Sequence, residues 1–347
     1  MEKHNKLYVN KHERYFLRFL DILPSALEKF DATRVLLTYF CVSGLDILNA
    51  LDKIDNKKRE AIINWIYKLQ VVNEEEEVSG FQGSSTLSTI KNKSKNSPLK
   101  WGHITATYTA LCTLVILGDD LSRVNRKAIA HSLKKLQLPS GCFTAAKEGT
   151  ESDMRFVFSV ASVCYLIDDW SGMDVDKTID FILKSISYDN GIGQEPGAEA
   201  HGGSTYCAIA TLALCKRLNS LSRRQLDGII RWLVFRQQSG FQGRPNKPVD
   251  TCYSFWVGGA LKILGVYDLI DFQENYTSVI LTQSKIMGGF AKWVGLNGDP
   301  LHSYLGLAGL TFMKLEKCQL NQVVPELNIT VNAFQQLKVI HDKWRSS

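Results

Sequence analysis

Asp250 and Cys252 stand two residues apart in "KPVDTCYSFW", and His302 opens a related stretch further on, "DPLHSYLG". Carboxylate, thiolate and imidazole are all zinc ligands. Three protein ligands with an open fourth position is the pattern of a catalytic rather than a structural zinc site. On a regular helix Asp250 and Cys252 would point to nearly opposite sides. They can share an ion only if Asp250 stands outside the helix. Pro248 blocks a preceding helix, and Asp250 suits an N-cap with Cys252 in the first turn. On the residues alone two other readings stay open. Cys252 can be a small core residue at a helix start, or the nucleophile of a Cys–His hydrolase, although no oxyanion loop accompanies it.

Arg244, Lys247, Tyr253 and His201 lie close to this pair in the chain or in equivalent positions, and Lys292 sits in "GGFAKW" shortly before His302. Convergent Arg, Lys, His and Tyr donors match a diphosphate without any P-loop. Taken singly, each cation reads as a solvated loop residue. Two in one proline-flanked turn beside Asp250 point to a ligand. Tyr39, Phe40, Phe156, Tyr206 and Trp256 fall in strongly apolar stretches. They are either core or the wall of a deep funnel that accepts a long hydrocarbon.

The elements that position these residues come from an internal repeat. "LQVVNEEEEVSGFQG", "LQLPSGCFTA", "SISYDNGIGQ", "RQQSGFQGR" and "TQSKIMGGFAK" align, with anchors at Gln70, Gln137, Ser187, Gln237 and Gln283. Each anchor closes an amphipathic helical pattern such as "AIINWIYKLQ" or "GIIRWLVFRQ". After each Gly-rich turn comes a helix apolar almost all round, such as "HITATYTALCTLVIL" or "STYCAIATLALC". The stretch "ATRVLLTYFCVSGLDIL" adds a sixth. Helices apolar on every face must be buried. Six of them alternating with amphipathic ones predict an all-α fold, a six-fold α/α barrel of helical hairpins, in preference to an open solenoid. Residues 1–347 read as one domain, with a Ser/Lys/Asn-rich surface-loop insert around 84–100 and a polar N-terminal tail. The inner helices start at His103, Arg155, His201, Asp250 with Cys252, and His302, so these residues converge on one mouth. Helix N-termini there favour an anionic ligand.

Composition narrows the function. Hydrophobic residues are 45% of the chain and charged ones 22%, with a net charge of +6. The cations are too scattered for a nucleic-acid surface. The N-terminus lacks the apolar core of a secretory signal and no uncharged run spans a bilayer, which predicts a cytoplasmic chain with no membrane span. Eight cysteines without a CxxC pair predict free thiols, and "NYT" and "NIT" read as chance glycosylation matches.

The blocks "HGGSTYCAI", "GRPNKPVDTCYSFW", "GGFAKW" and "LHSYLGLAGL" resemble the β subunits of protein prenyltransferases, most nearly the geranylgeranyl-transferring type I branch. "GHITATYTALCTLVILGDDLSRVN" and "SDMRFVFSVASVCYLIDDWSGMD" are similar too, so the resemblance covers nearly the whole chain. It implies a heterodimer with a helical α subunit. The implied reaction moves a C20 group from geranylgeranyl diphosphate to the cysteine of a C-terminal CaaX motif whose last residue is mainly Leu or Phe. It makes Asp250, Cys252 and His302 the ligands of one zinc ion, and places the leaving diphosphate on His201, Arg244, Lys247 and Tyr253. Lys292 stands where farnesyl-transferring relatives have an aspartate that helps hold Mg²⁺, which implies catalysis without added magnesium. The resemblance gives Arg155 a water-mediated contact with the peptide carboxylate and lines the last-residue pocket with His103, Thr105 and Phe156. Leu36, Tyr39, Phe40, Arg155, Tyr206 and Trp256 then form the isoprenoid pocket. Leu36 departs from the pattern. Geranylgeranyl-transferring relatives carry Thr there and farnesyl-transferring ones Trp, so a farnesyl or dual donor is the alternative.

Two other uses of such a barrel compete. "LGDDLS" and "IDDWSGMD" hint at a terpene cyclase, but neither has the DDxxD spacing. A non-catalytic binding scaffold would not need the Asp–Cys–His set and the donors together.

Overall fold

Stretches apolar on every face have nowhere to go but inside. The computed structural model describes residues 6–72, 79–86, 101–147, 150–313 and 319–346. It folds the six stretches into α2 (Arg34–Ile47), α4 (Ile104–Ile116), α6 (Met154–Leu166), α8 (Gly202–Leu214), α10 (Tyr253–Ile263) and α12 (Pro300–Thr311). In α4 every residue except Thr105 is buried. Its threonines tolerate this because Thr107, Thr109 and Thr113 donate their hydroxyls to carbonyls one turn back. The amphipathic partners are α1 (Val9–Asp21), α3 (Asn56–Lys68), α5 (Arg126–Leu136), α7 (Val175–Lys184), α9 (Arg223–Val234) and α11 (Phe272–Leu281). Each inner helix packs on the next and α12 returns to α2. The result is a closed all-α, six-fold α/α toroid.

The repeated glutamine is a joint. Gln70 pairs its side-chain amide with the Arg123 carbonyl and the Asn125 N–H, at the start of α5. Gln137 does the same with both backbone groups of Asp174, at the start of α7, and Gln237 with those of Asp271, at the start of α11. Gln283 then bonds the Lys6 carbonyl at 2.8 Å and the Tyr8 N–H at 3.1 Å, where α1 begins. The last hairpin is thus fastened to the first by the link used inside the ring. At the third turn Ile186, one residue before the expected anchor Ser187, stands in glutamine's place, since the backbone bridge pairs it with Ile192 as it pairs Gln137 with Phe143, and α9 starts with its own Ser222–Gln225 capping box.

The far end of the barrel is plugged. Tyr39, Tyr108, Phe158, Tyr206, Phe255 and Tyr304, one from each inner helix, form a buried aromatic layer. From Tyr304 through Tyr39 and round to Phe255, neighbouring ring centroids lie 5.0 to 5.9 Å apart. A hairpin of β1 (Val323–Val324) and β2 (Ile329–Thr330) enters beneath it. Its carbonyls accept the hydroxyls: Pro325 from Tyr206 at 2.7 Å, Leu327 from Tyr108 at 3.0 Å, and Asn328 from Tyr39 at 2.6 Å and Tyr304 at 2.7 Å. α13 (Val331–Ser346) follows.

Three expectations change. The N-terminal stretch read as a polar tail is, from Val9, the outer helix of the first hairpin, because its apolar side holds Tyr15 and Phe16 against the ring. Most of the 84–100 insert lies outside the described residues, but Ser84 is buried rather than on a surface loop, since Gly83 accepts the Val35 N–H that starts α2. Asp250 is not the N-cap of α10. Cys252 holds that position, and the Asp250 carboxylate reaches forward to its N–H at 3.0 Å. Asn275 and Asn328 are buried, so neither glycosylation match is accessible, and the described cysteines are free thiols.

Candidate active site

The mouth is built from helix caps that do two things at once. Five inner helices begin under a side-chain acceptor. His103 takes the Thr105 N–H, Asp153 the Arg155 N–H, His201 the Gly203 N–H, Asp250 the Cys252 N–H and Asp299 the His302 N–H. Each satisfies an orphan donor of its helix. The three carboxylates and His201 then use another atom to hold a functional side chain.

Asp250, Cys252 and His302 come together as the sequence predicts, with one ligand atom from each inside a group no wider than 4.8 Å. The metal-ligand geometry depends on Asp250 preceding the helix, which lets it reach the same side as Cys252. His302 is held from both ends. Its Nδ1 lies 2.6 Å from Asp299 Oδ2 and its Nε2 3.2 Å from Asp250 Oδ1. Burial works against charge on this imidazole, but the bonds to Asp250 and Asp299 outweigh it and raise its pKa to about 9. Burial would also raise the Asp250 carboxyl, yet hydrogen bonds from His302 and Cys252 hold it below the usual carboxylate range. The Cys252 thiol is pushed far up, first by burial and then by Asp250. Without an ion the site keeps a neutral thiol and an imidazolium between carboxylates. A divalent cation fits by displacing those protons, as Asp/Cys/His sites require. Lys292 joins the cluster with Nζ 3.6 Å from Asp250 Oδ2.

The second group is His201 with Tyr253. Because His201 Nδ1 accepts the Gly203 N–H, its proton sits on Nε2, which donates to the Tyr253 hydroxyl at 2.9 Å. The Tyr253 O–H is left to donate to a ligand. Burial, and then Arg244, lowers the pKa of His201 and keeps it neutral. Gly243 makes the packing possible, since a Cβ there would lie 2.2 Å from the Tyr253 ring. Arg244 is tied to Glu199. Lys247 is joined to Arg244 through the backbone, and its side chain is exposed.

The third group carries Arg155. Asp153 grips its guanidinium with both carboxylate oxygens, and Glu151 adds a third contact at 2.5 Å. Arg155 covers the Phe156 ring, and Phe156 meets His103 edge-on at 6.1 Å. Thr105 follows His103 in the first turn of α4. The aromatic residues divide by depth. Tyr39 and Tyr206 are floor, fully buried with their hydroxyls spent on the plug. Phe40 lies beside them against Tyr304, while Leu36 and Trp256 keep part of their surface exposed.

Asp299, Asp153 and Glu199 are the site residues that sequence reasoning misses. A local signal exists for two: Asp299 precedes Pro300 and Asp153 precedes a helix, both cap patterns. The two acidic pairs that hint at a cyclase lie at the opposite end, where Asp119, Asp120 and Asp169 cap tight turns and Asp168 pairs with Arg345.

At one mouth of a closed α/α toroid, then, stand an Asp–Cys–His set that could hold a metal ion and a rim of Arg, Lys, His and Tyr side chains. The chain matches the prenyltransferase alpha-alpha toroid domain over residues 7–329 and belongs to that family. It is 39% identical over 338 residues to the geranylgeranyl transferase type-1 subunit beta of Dictyostelium discoideum, covering 93% of this chain and 95% of that one. The corresponding subunit of Arabidopsis thaliana is 36% identical over 340 residues, covering 93% and 89%. The solved Candida albicans protein geranylgeranyltransferase-I complexed with GGPP superposes with a TM-score of 0.87 at 27% identity, covering 97% of this chain and 99% of that chain. Farnesyltransferase β subunits match at lower identity and over less of the chain. Fold, enzyme class and function therefore go with the β subunits of type-1 geranylgeranyl transferases. No helix among the described residues is long and apolar enough to cross a membrane.

Proposed function

We propose that this chain, paired with a helical α subunit, transfers a C20 geranylgeranyl group from geranylgeranyl diphosphate to the cysteine of C-terminal CaaX motifs. The observation that carries the reading is the convergence of Asp250, Cys252 and His302 with Lys292 and the His201–Tyr253 pair at one mouth. A carboxylate, a thiolate and an imidazole suit zinc, which when bound supplies a Lewis acid that lowers the pKa of a substrate thiol. Asp299 keeps the His302 proton on Nδ1, so that Nε2 offers its lone pair to the ion.

On the donor side, Arg244, Lys247, His201 and Tyr253 bind the diphosphate. Tyr253 and Lys292 are the catalytic donors, facing the charge that grows on the leaving oxygens as the C–O bond breaks. Lys292 supplies positive charge where a second metal would otherwise be needed, so magnesium is not required. Arg155, oriented by Asp153, meets the peptide carboxylate, and His103, Thr105 and Phe156 receive the last side chain. Leu36, Phe40 and Trp256, with Arg155 above and Tyr39 and Tyr206 below, border the isoprenoid. The free thiols of the described cysteines suit a reducing, cytoplasmic setting.

The test is transfer by the α–β complex, zinc-loaded and free of magnesium, on a peptide ending in Cys-aliphatic-aliphatic-Leu, with labelled C20 and C15 donors compared. Preference for C20 supports the reading, preference for C15 replaces it with farnesyl transfer, and no transfer by a folded, zinc-loaded complex refutes it.

A further inference from the structure

Besides the glutamine joint, the ring repeats a second link. From α2 to α10, the start of each inner helix donates one backbone N–H to the turn that leads into the next inner helix. Val35, Ile104, Met154 and Gly202 donate in this way to Gly83, Ala145, Gln194 and Gly243, at 2.7 to 3.0 Å. Each accepting carbonyl lies two residues past the one that bridges its turn, Phe81, Phe143, Ile192 or Phe241. The fifth link runs from Thr251 to Lys292, two residues past Phe290, and at 3.3 Å it is the longest of the five.

At this link a side chain takes part as well. The Thr251 hydroxyl donates to the Ala291 carbonyl at 2.7 Å, with the Lys292 carbonyl 3.2 Å away. Thr282, 3.0 Å from Thr251 Oγ1, donates its own hydroxyl to Val279, so Thr251 is the donor at the junction. The equivalent residues in the other four links, Val35, Ile104, Met154 and Gly202, have no hydroxyl to offer. The backbone bond that is longest is the one reinforced.

The place of this reinforcement matters. Thr251 stands between Asp250 and Cys252 and is buried, as are Phe290 and Ala291. Its methyl faces Gly306 of α12, where a Cβ would lie 3.0 Å from it, and its hydroxyl grips the turn that carries Lys292. The Lys292 side chain itself is loosely held. Its Nζ is 3.6 Å from Asp250 Oδ2, longer than a hydrogen bond, and 4.6 Å from the centre of the Trp293 ring. A flexible four-carbon stem delivers its charge to one place only if its backbone is fixed.

We infer that Thr251 is a positioning residue for transfer, its hydroxyl fixing the turn that aims the Lys292 ammonium at the departing diphosphate. Thr251 acts through Lys292, because its own hydroxyl proton is spent on Ala291. The inference rests on the role given to Lys292 in the prenyl-transfer reading.

The experiment deletes the hydroxyl in two ways in the zinc-loaded, magnesium-free α–β complex. Thr251→Val removes it and keeps the methyl that faces α12. Thr251→Ser compared with Thr251→Ala removes it with that methyl already gone, and decides the matter if the valine variant does not assemble. Single-turnover transfer and zinc affinity are measured for each, alone and combined with Lys292→Ala. Losing the hydroxyl is expected to slow transfer on the order of tenfold, with serine close to wild type and zinc affinity unchanged by valine. With Lys292→Ala in place, the same deletion is expected to cost less than about twofold, since the two residues act as one unit. Equal costs in both backgrounds, or no cost with Lys292 present, overturn the positioning role alone. Transfer at the wild-type rate by Lys292→Ala would instead refute the role of Lys292, and that of Thr251 with it.

Discussion

Replacing Asp299 by Asn should uncouple metal binding from folding. Asp299 accepts two hydrogen bonds, from the His302 backbone N–H at 3.0 Å through Oδ1 and from His302 Nδ1 at 2.6 Å through Oδ2. Both partners are donors when His302 offers Nε2 to an ion. An amide has only one acceptor end. If the Asn oxygen keeps the backbone N–H, its NH₂ faces Nδ1 and drives the proton to Nε2, which then cannot ligate. If the oxygen turns to Nδ1 instead, the first turn of α12 loses its cap, at a cost of about 1 kcal/mol. Loss of such a supporting carboxylate weakens metal binding by about 10–100-fold, equivalent to about 1.4–2.7 kcal/mol. Asp299→Ser separates the two effects, since serine still caps the helix but leaves Nδ1 without a partner. The assay is zinc affinity of the α–β complex by chelator competition, with denaturant stability of the metal-free protein alongside. Both variants should bind zinc at least about tenfold more weakly, and Ser should preserve metal-free stability. Zinc affinity unchanged in both variants would refute the role of Asp299 in setting the His302 tautomer.

Further outcomes follow from other contacts. Lys292→Asp should create a dependence on magnesium in the transfer assay; equal rates with and without the metal would remove Lys292 from the diphosphate site. Tyr253→Phe deletes one donor to developing charge and should lower kcat on the order of 100-fold with zinc affinity unchanged, as single-turnover kinetics would record. Leu36→Trp should shift donor preference toward C15 if this residue borders the far isoprene, read as the ratio of kcat/KM for the two donors. His12 gives a pH dependence. Burial, partly offset by its bond to Gln283, lowers its pKa from 6.5 to about 4. A depressed histidine stabilises the fold fully above its unfolded pKa, so stability should fall by about 3 kcal/mol as pH drops from about 6.5 to about 4. Denaturant titrations across that range should show the slope, and His12→Gln should flatten it.

The architecture was legible because its signals are local and repeated. Burial of a helix on every face is written in composition, so α4 or α8 announces itself without knowledge of its neighbours. The pairing of Asp250 with Cys252 was legible through Pro248, which keeps Asp250 out of the helix. Other features were hidden because their partners are distant in sequence. Nothing in "MEKHNKLYVNKHERYFLRFL" reveals that Gln283 will clasp the chain at Lys6 and Tyr8, so a polar tail was the natural reading of what is helix α1. Tyr39 and Tyr206 read as funnel wall because the carbonyls that accept their hydroxyls belong to Asn328 and Pro325.

The sequence by itself determined the hairpin repeat, the inner and outer helices and the residue types at each inner-helix start, since periodicity and capping act over a few residues. Tertiary structure decided ring closure, the tyrosine floor on its hairpin plug, and the second contacts of the caps that cross between helices: Asp250 on His302 and Lys292, and His201 on Tyr253. Those contacts join residues brought near only when the six inner helices close with their N-termini at one mouth. Hydrogen bonds and charges act there over a few ångströms, whatever the separation along the chain.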